Sequence, residues 1–207
     1  MENITVKSGP AQFILLISFA CLLLTGGCAR YASNVNTLYE PAAGVRGGSG
    51  EVYIVIPESL QTRSTHIKWV LGKVTDDDNR VIDDVFSPRS PAELIQAALG
   101  VELKRAGNTV IPATKLPVAG QIVIDLTKTE IELEQLSDLA DLKAKCRVVM
   151  GIDLFKNGQM IKRLLYESAS SKTDIKDRDL LAEKVLNEAL QSVMLQAIPD
   201  LHNLINL

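Results

Sequence analysis

Few side chains in this chain are of the types that carry covalent or metal chemistry. Cysteine stands at Cys21, Cys28 and Cys146, and histidine at His66 and His202. The histidines lie far apart, with no acid–base pattern around either, and His66 reads as a solvated residue at the start of a strand. Cys146 alternates with polar neighbours in a strand-like run, so a buried, inert thiol is expected. No Cys-x-x-Cys, His-x-x-x-His or Gly-x-Ser-x-Gly spacing occurs. Asp76, Asp77 and Asp78, with Asp83 and Asp84 nearby, have the charge for calcium. An EF-hand loop begun at Asp76 would place Arg80 and Val81 where a ligand and the turn glycine belong. A solvated acidic turn is the better reading. The glycines from Gly44 to Gly50 lack the preceding strand and following helix of a phosphate loop. Gly72-Lys73-Val74-Thr75 lacks the earlier glycine and the hydroxyl directly after lysine. These residues predict no enzyme, no metal site and no cofactor. A net charge of −3, with four Phe, four Tyr and one Trp, also argues against nucleic acid as a partner.

The chemistry that remains is at Cys28. Ala11 to Leu24 is an apolar run interrupted by Gln12 and Ser18. Fourteen residues at ~1.5 Å each span roughly 21 Å, short of the ~30 Å hydrocarbon core. The run therefore reads as the apolar region of a signal peptide. Leu24-Thr25-Gly26-Gly27-Cys28 closes it and resembles a bacterial lipobox, whose cysteine is acylated and becomes the first residue of the mature chain. Thr25 stands where that pattern usually has leucine. The resemblance implies cleavage after residue 27, a lipid anchor on Cys28 and, through Ala29 rather than aspartate, delivery to the outer membrane. Cys21 would leave with the signal and Cys28 would be capped, so Cys146 would have no disulfide partner.

The elements that would follow the anchor are legible from pattern. Residues 28–50 read as the lipidated cysteine and a flexible tether with a reach of roughly 25 Å. Residues 51–207 read as one periplasmic domain. Val52–Pro57 and His66–Val74 are strand candidates, and Arg80–Val85 returns as a third. Ser90-Pro91-Ala92-Glu93 is a capping box, opening a helix that Gly107 should close. Gly100 inside that helix suggests close packing on a sheet. Thr109–Pro112 and Gln121–Leu133 are further strands, the second with a change of parity near Lys128 that predicts a bulge. Asn157-Gly158 between two long runs predicts a type I′ hairpin. That hairpin would pair Phe155 with Met160, Asp153 with Lys162 and Met150 with Leu165. A terminal helix from about Asp177 to Ile198 should end or kink at Pro199. The order predicts an α+β two-layer sandwich, with a largely antiparallel sheet and two helices mainly on one face.

The lipobox, the Val52–Pro57 strand, Gly72-Lys73-Val74-Thr75 with Asp78-Asn79, the Ser90–Gly107 helix and the stripe from Ala182 resemble the YajG-type bacterial lipoproteins over roughly residues 50–200. The resemblance implies localisation and fold, with Cys28 the one functional residue it carries over. The expected role is a non-catalytic structural or interaction module, anchored in the outer membrane and facing the periplasm, that binds an envelope protein or peptidoglycan. The alternative is an auxiliary lipoprotein of an ABC-type lipid transport system. Two apolar faces on the hairpin leave one for a partner, expected to be that of Val149, Phe155, Met160, Leu164 and Tyr166. The competing reading places this face under the helices as core.

Overall fold

The computed structural model describes residues 33–116, 121–137, 142–174 and 178–206. All lie in the unit Ala32–Leu207. The apolar run, Cys28 and Ala29 lie outside the described residues.

In chain order the described elements are β1 (Ser33–Asn34), β2 (Glu51–Val55), β3 (Trp69–Thr75), β4 (Val81–Ser87), α1 (Pro91–Ala106), β5 (Thr109–Ala113), β6 (Ile122–Ser137), β7 (Leu142–Lys156), β8 (Gln159–Asp174) and α2 (Arg178–Asn206). One sheet contains all the described strands. The long strand β6 organises it. One edge of β6 pairs with β7 along its length, and β7 pairs with β8, both antiparallel. The other edge is shared: Ile122–Asp125 pair parallel with β2, and Leu133–Leu136 pair parallel with β3. β5 lies parallel beyond β2. β4 lies antiparallel beyond β3, with β1 parallel outside it. The longest ladders are antiparallel, as the sequence implied, and the four parallel pairs are short.

Both helices pack on the same side, α1 over β6, β5 and β2, and α2 over β7 and β8, in contact with each other. This is the expected two-layer α+β sandwich. Its core joins Ile95, Leu99 and Leu103 of α1 and Val185, Leu186, Leu190 and Val193 of α2 to Ile54, Ile124, Leu126, Leu133, Met150, Ile152 and Leu154 of the sheet.

Local chemistry explains where α1 starts and stops. Ser90 Oγ accepts from Glu93 N–H at 3.1 Å, and Glu93 accepts from Ser90 N–H at 2.8 Å. Glu93 also accepts from Thr62 N–H at 2.9 Å, tying the β2–β3 connection to the helix start. Gly107 closes α1 at φ 115°, in the left-handed region. Gly100 does not serve the close packing expected of it. A Cβ there would meet Val110 Cγ1 at 3.6 Å, an ordinary contact.

Four expectations are corrected. First, the described part of the presumed tether is bound to the domain. Val35 donates its N–H to Phe86 O at 2.8 Å, and Val35 and Ala43 are buried. Asn36 and Glu40 donate backbone N–H groups to Glu183 and Asn187 of α2. Ala42 and Ala43 donate theirs to Glu102 of α1 at 2.6 and 3.0 Å. The segment is a strap along the two helices. Its composition resembles a linker because helix side chains and an edge strand hold it, rather than apolar periodicity of its own.

Second, the Asn157-Gly158 reversal forms, with φ of 56° and 76° as a type I′ turn requires, but the register slips one residue beyond it. Phe155 pairs with Met160 as expected. A bulge then places Leu154 opposite Lys162, Asp153 opposite Arg163 and Met150 opposite Tyr166. Third, α2 continues through Pro199 to Asn206, because Leu201 and Ile205 beyond the proline are buried in the core. Fourth, the second strand begins at Trp69; Ile67 is exposed and His66 lies in a turn. The bulge expected near Lys128 is present, between Leu126 and Lys128.

Candidate functional site

The face of the sheet away from the helices carries the polar chemistry. Residues directly opposite in a ladder project to the same side, so the registers give the face row by row. One row runs Ser171, Lys145, Glu134, Lys73, Asp84 across five strands. The next runs Ala169, Arg147, Glu132. These residues line a trough of about 940 Å³, bordered also by Val70, Leu71 and Gly72.

Charge alternates across it. Lys73 Nζ lies 2.9 Å from Glu134. Arg147 meets Glu167 at 2.7 Å, Glu132 at 3.2 Å and Glu130 at 4.0 Å. Val149 lies between Glu130 and Glu167 in the register and is 1% exposed. Arg147 joins those two carboxylates across it, which accounts for an apolar side chain being covered on a face without helices. The side-chain bond from Arg147 holds the Glu167 carboxyl below its usual range.

Nearer the hairpin, Asp153 takes a two-pronged bond from Arg163, at 2.7 and 2.6 Å. Asp125 stands opposite Asp153. Burial, then the Asp153 charge, push the Asp125 carboxyl up, while the Arg163 hydrogen bonds hold Asp153 down. The charged couple expected as Asp153–Lys162 is thus Asp153–Arg163. Lys162 falls to the opposite side, because the bulge at Ile161 inverts the parity of everything after it.

The same inversion breaks up the expected partner surface. Tyr166 is buried under α2, where its hydroxyl donates to Asp200 at 3.0 Å, and Leu164 packs against the core. Val149 and Phe155 belong to the open face, where Val149 is covered, Phe155 is half-buried, and Met160 opposite Phe155 is 54% exposed. The five residues do not share one surface. Cys28 lies outside the described residues.

The other candidates resolve locally. Cys146 is buried, and burial pushes its thiol up to about 12. Asp76 accepts from Arg80 N–H at 2.9 Å and Asp78 N–H at 3.0 Å, and its carboxylate pairs with the Arg80 side chain. The acidic tip is therefore a self-capped turn. Asn206 Nδ2 donates to His202 O at 2.9 Å at the end of α2. No group of three or more His, Cys, Asp or Glu among the described residues is arranged to hold a metal ion.

The sequence reading missed the trough, although a signal was there. Lys128, Glu130, Glu132 and Glu134 alternate at period two, and so do Lys143, Lys145 and Arg147. An acidic run, Glu130, Glu132 and Glu134, and a basic run, Lys143, Lys145 and Arg147, both at strand period, mark neighbouring strands with one polar face.

The fold and site define an α+β two-layer protein whose open sheet face carries a charge-compensated trough. No family model matches the chain, and no curated protein matches its sequence. Solved structures with similarity in fold include a Xanthomonas campestris protein of family DUF330, 11% identical. The match covers 83% of this chain and 94% of that one, with a TM-score of 0.47. A neuraminyllactose-binding hemagglutinin homologue from Helicobacter pylori is 13% identical over 81% of this chain and 91% of its own, with a TM-score of 0.42. Rare lipoprotein B from Shewanella oneidensis is 13% identical over 62% and 87%, with a TM-score of 0.29.

Proposed function

We propose that the protein is a bacterial envelope lipoprotein of the YajG type, anchored through acylated Cys28 in the outer membrane. Its periplasmic domain would act as a non-catalytic interaction module for an envelope protein or peptidoglycan. The observation that carries this reading is the apolar run Ala11–Leu24 followed by Gly26-Gly27-Cys28. Small residues before the cysteine let a peptidase approach the backbone. Three acyl chains, at ~0.8 kcal/mol per buried CH₂, give permanent attachment, whereas one chain binds only marginally. The seating of Ser33 in the sheet supports a short connection. Cys28 and Ser33 are five residue steps apart, at most about 18 Å of extended chain. The domain would then work close to the membrane surface rather than on a long tether. Among the described residues, no helix is long and apolar enough to cross a membrane.

The test is metabolic labelling with palmitate. Wild-type chain is expected to incorporate label and to fractionate with outer membrane. Cys28→Ser should lose all label and accumulate unprocessed or soluble. Label retained by the serine variant would refute the anchor.

A further inference from the structure

Among the described strands, the sheet has three ends to its ladder, and they differ in kind. β1 is two residues long, and β5 is five residues long and contains Pro112. β8 runs for sixteen residues without proline and pairs on one side with β7. A long edge of this kind is a template for another strand. Exposed apolar side chains gather along it. On β8 they are Met160, Ile161 and Leu165, the last 65% exposed. From the helix side, Gln196 Nε2 of α2 donates to the Glu167 carbonyl at 3.4 Å, a long bond that a pairing strand would replace.

The order of charges on β8 selects the occupant. Arg163, Leu165 and Glu167 lie opposite Asp153, Gly151 and Val149, so all three belong to the open face. A two-fold axis through Leu165, perpendicular to the sheet, sets Leu165 against Leu165 of a second copy. It sets Arg163, already bonded to Asp153, against Glu167 of that copy, already paired within its own chain with Arg147, and the reverse, so that charges of alternating sign run across the seam. The bulge residue Ile161 falls opposite Ala169. Opposite charges directly across an antiparallel pair stabilise it, and like charges destabilise it. We propose that this edge is the surface through which two copies of the chain associate, by antiparallel pairing of β8 centred on Leu165. The two sheets then form one continuous sheet, with the two troughs on the same side. This inference stands apart from acylation of Cys28.

The test uses the full chain in membranes. Antiparallel partners have Cα atoms about 4.5–5.5 Å apart, within disulfide range. Oxidation of Leu165→Cys is therefore expected to give a covalent dimer. Wild-type chain and Leu38→Cys, a strap residue 87% exposed, serve as controls and should give background. Arg163→Glu or Glu167→Arg, each added to Leu165→Cys, places like charges opposite and should reduce the dimer to background. Coexpression of those two variants restores both opposite-charge pairs between unlike copies and should restore the crosslink, which a merely structural role of either residue would not do. Leu165→Glu is the independent variant. With unchanged circular dichroism, it should sediment as a monomer in detergent where the wild-type chain sediments as a dimer. Background yield from Leu165→Cys, equal yield from Leu38→Cys, no recovery on coexpression, or a monomeric wild-type chain would each overturn the proposal.

Discussion

Glu93 is the side chain in which most local structure converges. It completes the capping box with Ser90 and accepts from both the N–H and the hydroxyl of Thr62, whose hydroxyl in turn accepts from Trp69 Nε1 at 2.9 Å. Burial works against its ionisation, but the bonds from Thr62 and Ser90 outweigh that and hold its carboxyl below the ordinary range. A folded-state pKa below the unfolded one gives stability that is full above the unfolded pKa and lost as pH falls through the folded one. Acid should therefore weaken the start of α1 as pH drops below about 4.5, the ordinary value for glutamate. Glu93→Gln keeps one acceptor and cannot titrate. It is expected to be less stable than wild type at neutral pH, with the difference shrinking toward pH 3. Urea midpoints at both pH values measure this, and a constant gap between the two proteins would show that Glu93 does not titrate with unfolding.

At the scale of elements, two glycines of the same residue type should respond to alanine with opposite signs. In α1, a Cβ at Gly100 meets no backbone, only Val110 and Ile54 side chains at 3.6 and 3.9 Å. Gly100→Ala should raise stability by up to about 1 kcal/mol, the helix-propensity difference. In β3, a Cβ at Gly72 would fall 1.7 Å from the Leu133 carbonyl oxygen of β6. Gly72→Ala must push two strands apart and should cost about 3 kcal/mol, in the upper range for point substitutions. Thermal melts read both, and stabilisation by Gly72→Ala would refute the β3–β6 approach described. The contrast also shows what a sequence discloses. The capping box, Gly107 and the Asn157-Gly158 turn were legible because each is specified by residues within a few positions. The reason for Gly72 was not, because the obstructing carbonyl is sixty-one positions away. The β8 bulge was hidden for another reason. Beyond Ile161 the residues come in like pairs, Lys162-Arg163 and Leu164-Leu165, so a shift of one position leaves the local pattern plausible in either register. It moved Tyr166 and Leu164 from the expected partner face to the helix side. The trough followed the same logic, with charges legible strand by strand and their alignment set only by pairing.

Across the whole molecule, the strap of residues 35–48 is the part least specified by its own sequence, and it closes over both helices. Glu102 carries its centre. One carboxylate oxygen of this buried residue accepts from Tyr39 Oη at 2.5 Å and from the Ala42 and Ala43 N–H groups. The other oxygen is buried without a hydrogen-bond partner, so the strap's demand on Glu102 falls on a single atom. The strap is otherwise tied down by single bonds spaced along it: Val35 N–H to Phe86 O, the Arg89 guanidinium to Thr37 O, Asn36 N–H and Glu40 N–H to α2, Gln191 of α2 to Glu40 O, the Arg105 guanidinium to Pro41 O and Gly48 N–H to Ala106 O. Segments held by few buried contacts open locally before the core does. The middle of β7, Val148–Leu154, is buried throughout and lies between two long ladders, so its amides should exchange only on global unfolding. Strap amides should exchange faster, through local opening that leaves the sheet intact. Glu102→Ala removes the acceptor of three donors and should cost about 3 kcal/mol, on the scale of hydrogen bonds to a charged group. Hydrogen exchange of Ala42 and Ala43 should then accelerate more than a hundredfold, while exchange across Val148–Leu154 changes by no more than the loss in global stability. Gln at this position retains an acceptor oxygen and should lose less than half as much. Equal protection of strap and β7 in the wild-type chain would instead make the strap part of the cooperative core, held by the burial of Val35 and Ala43 rather than by Glu102.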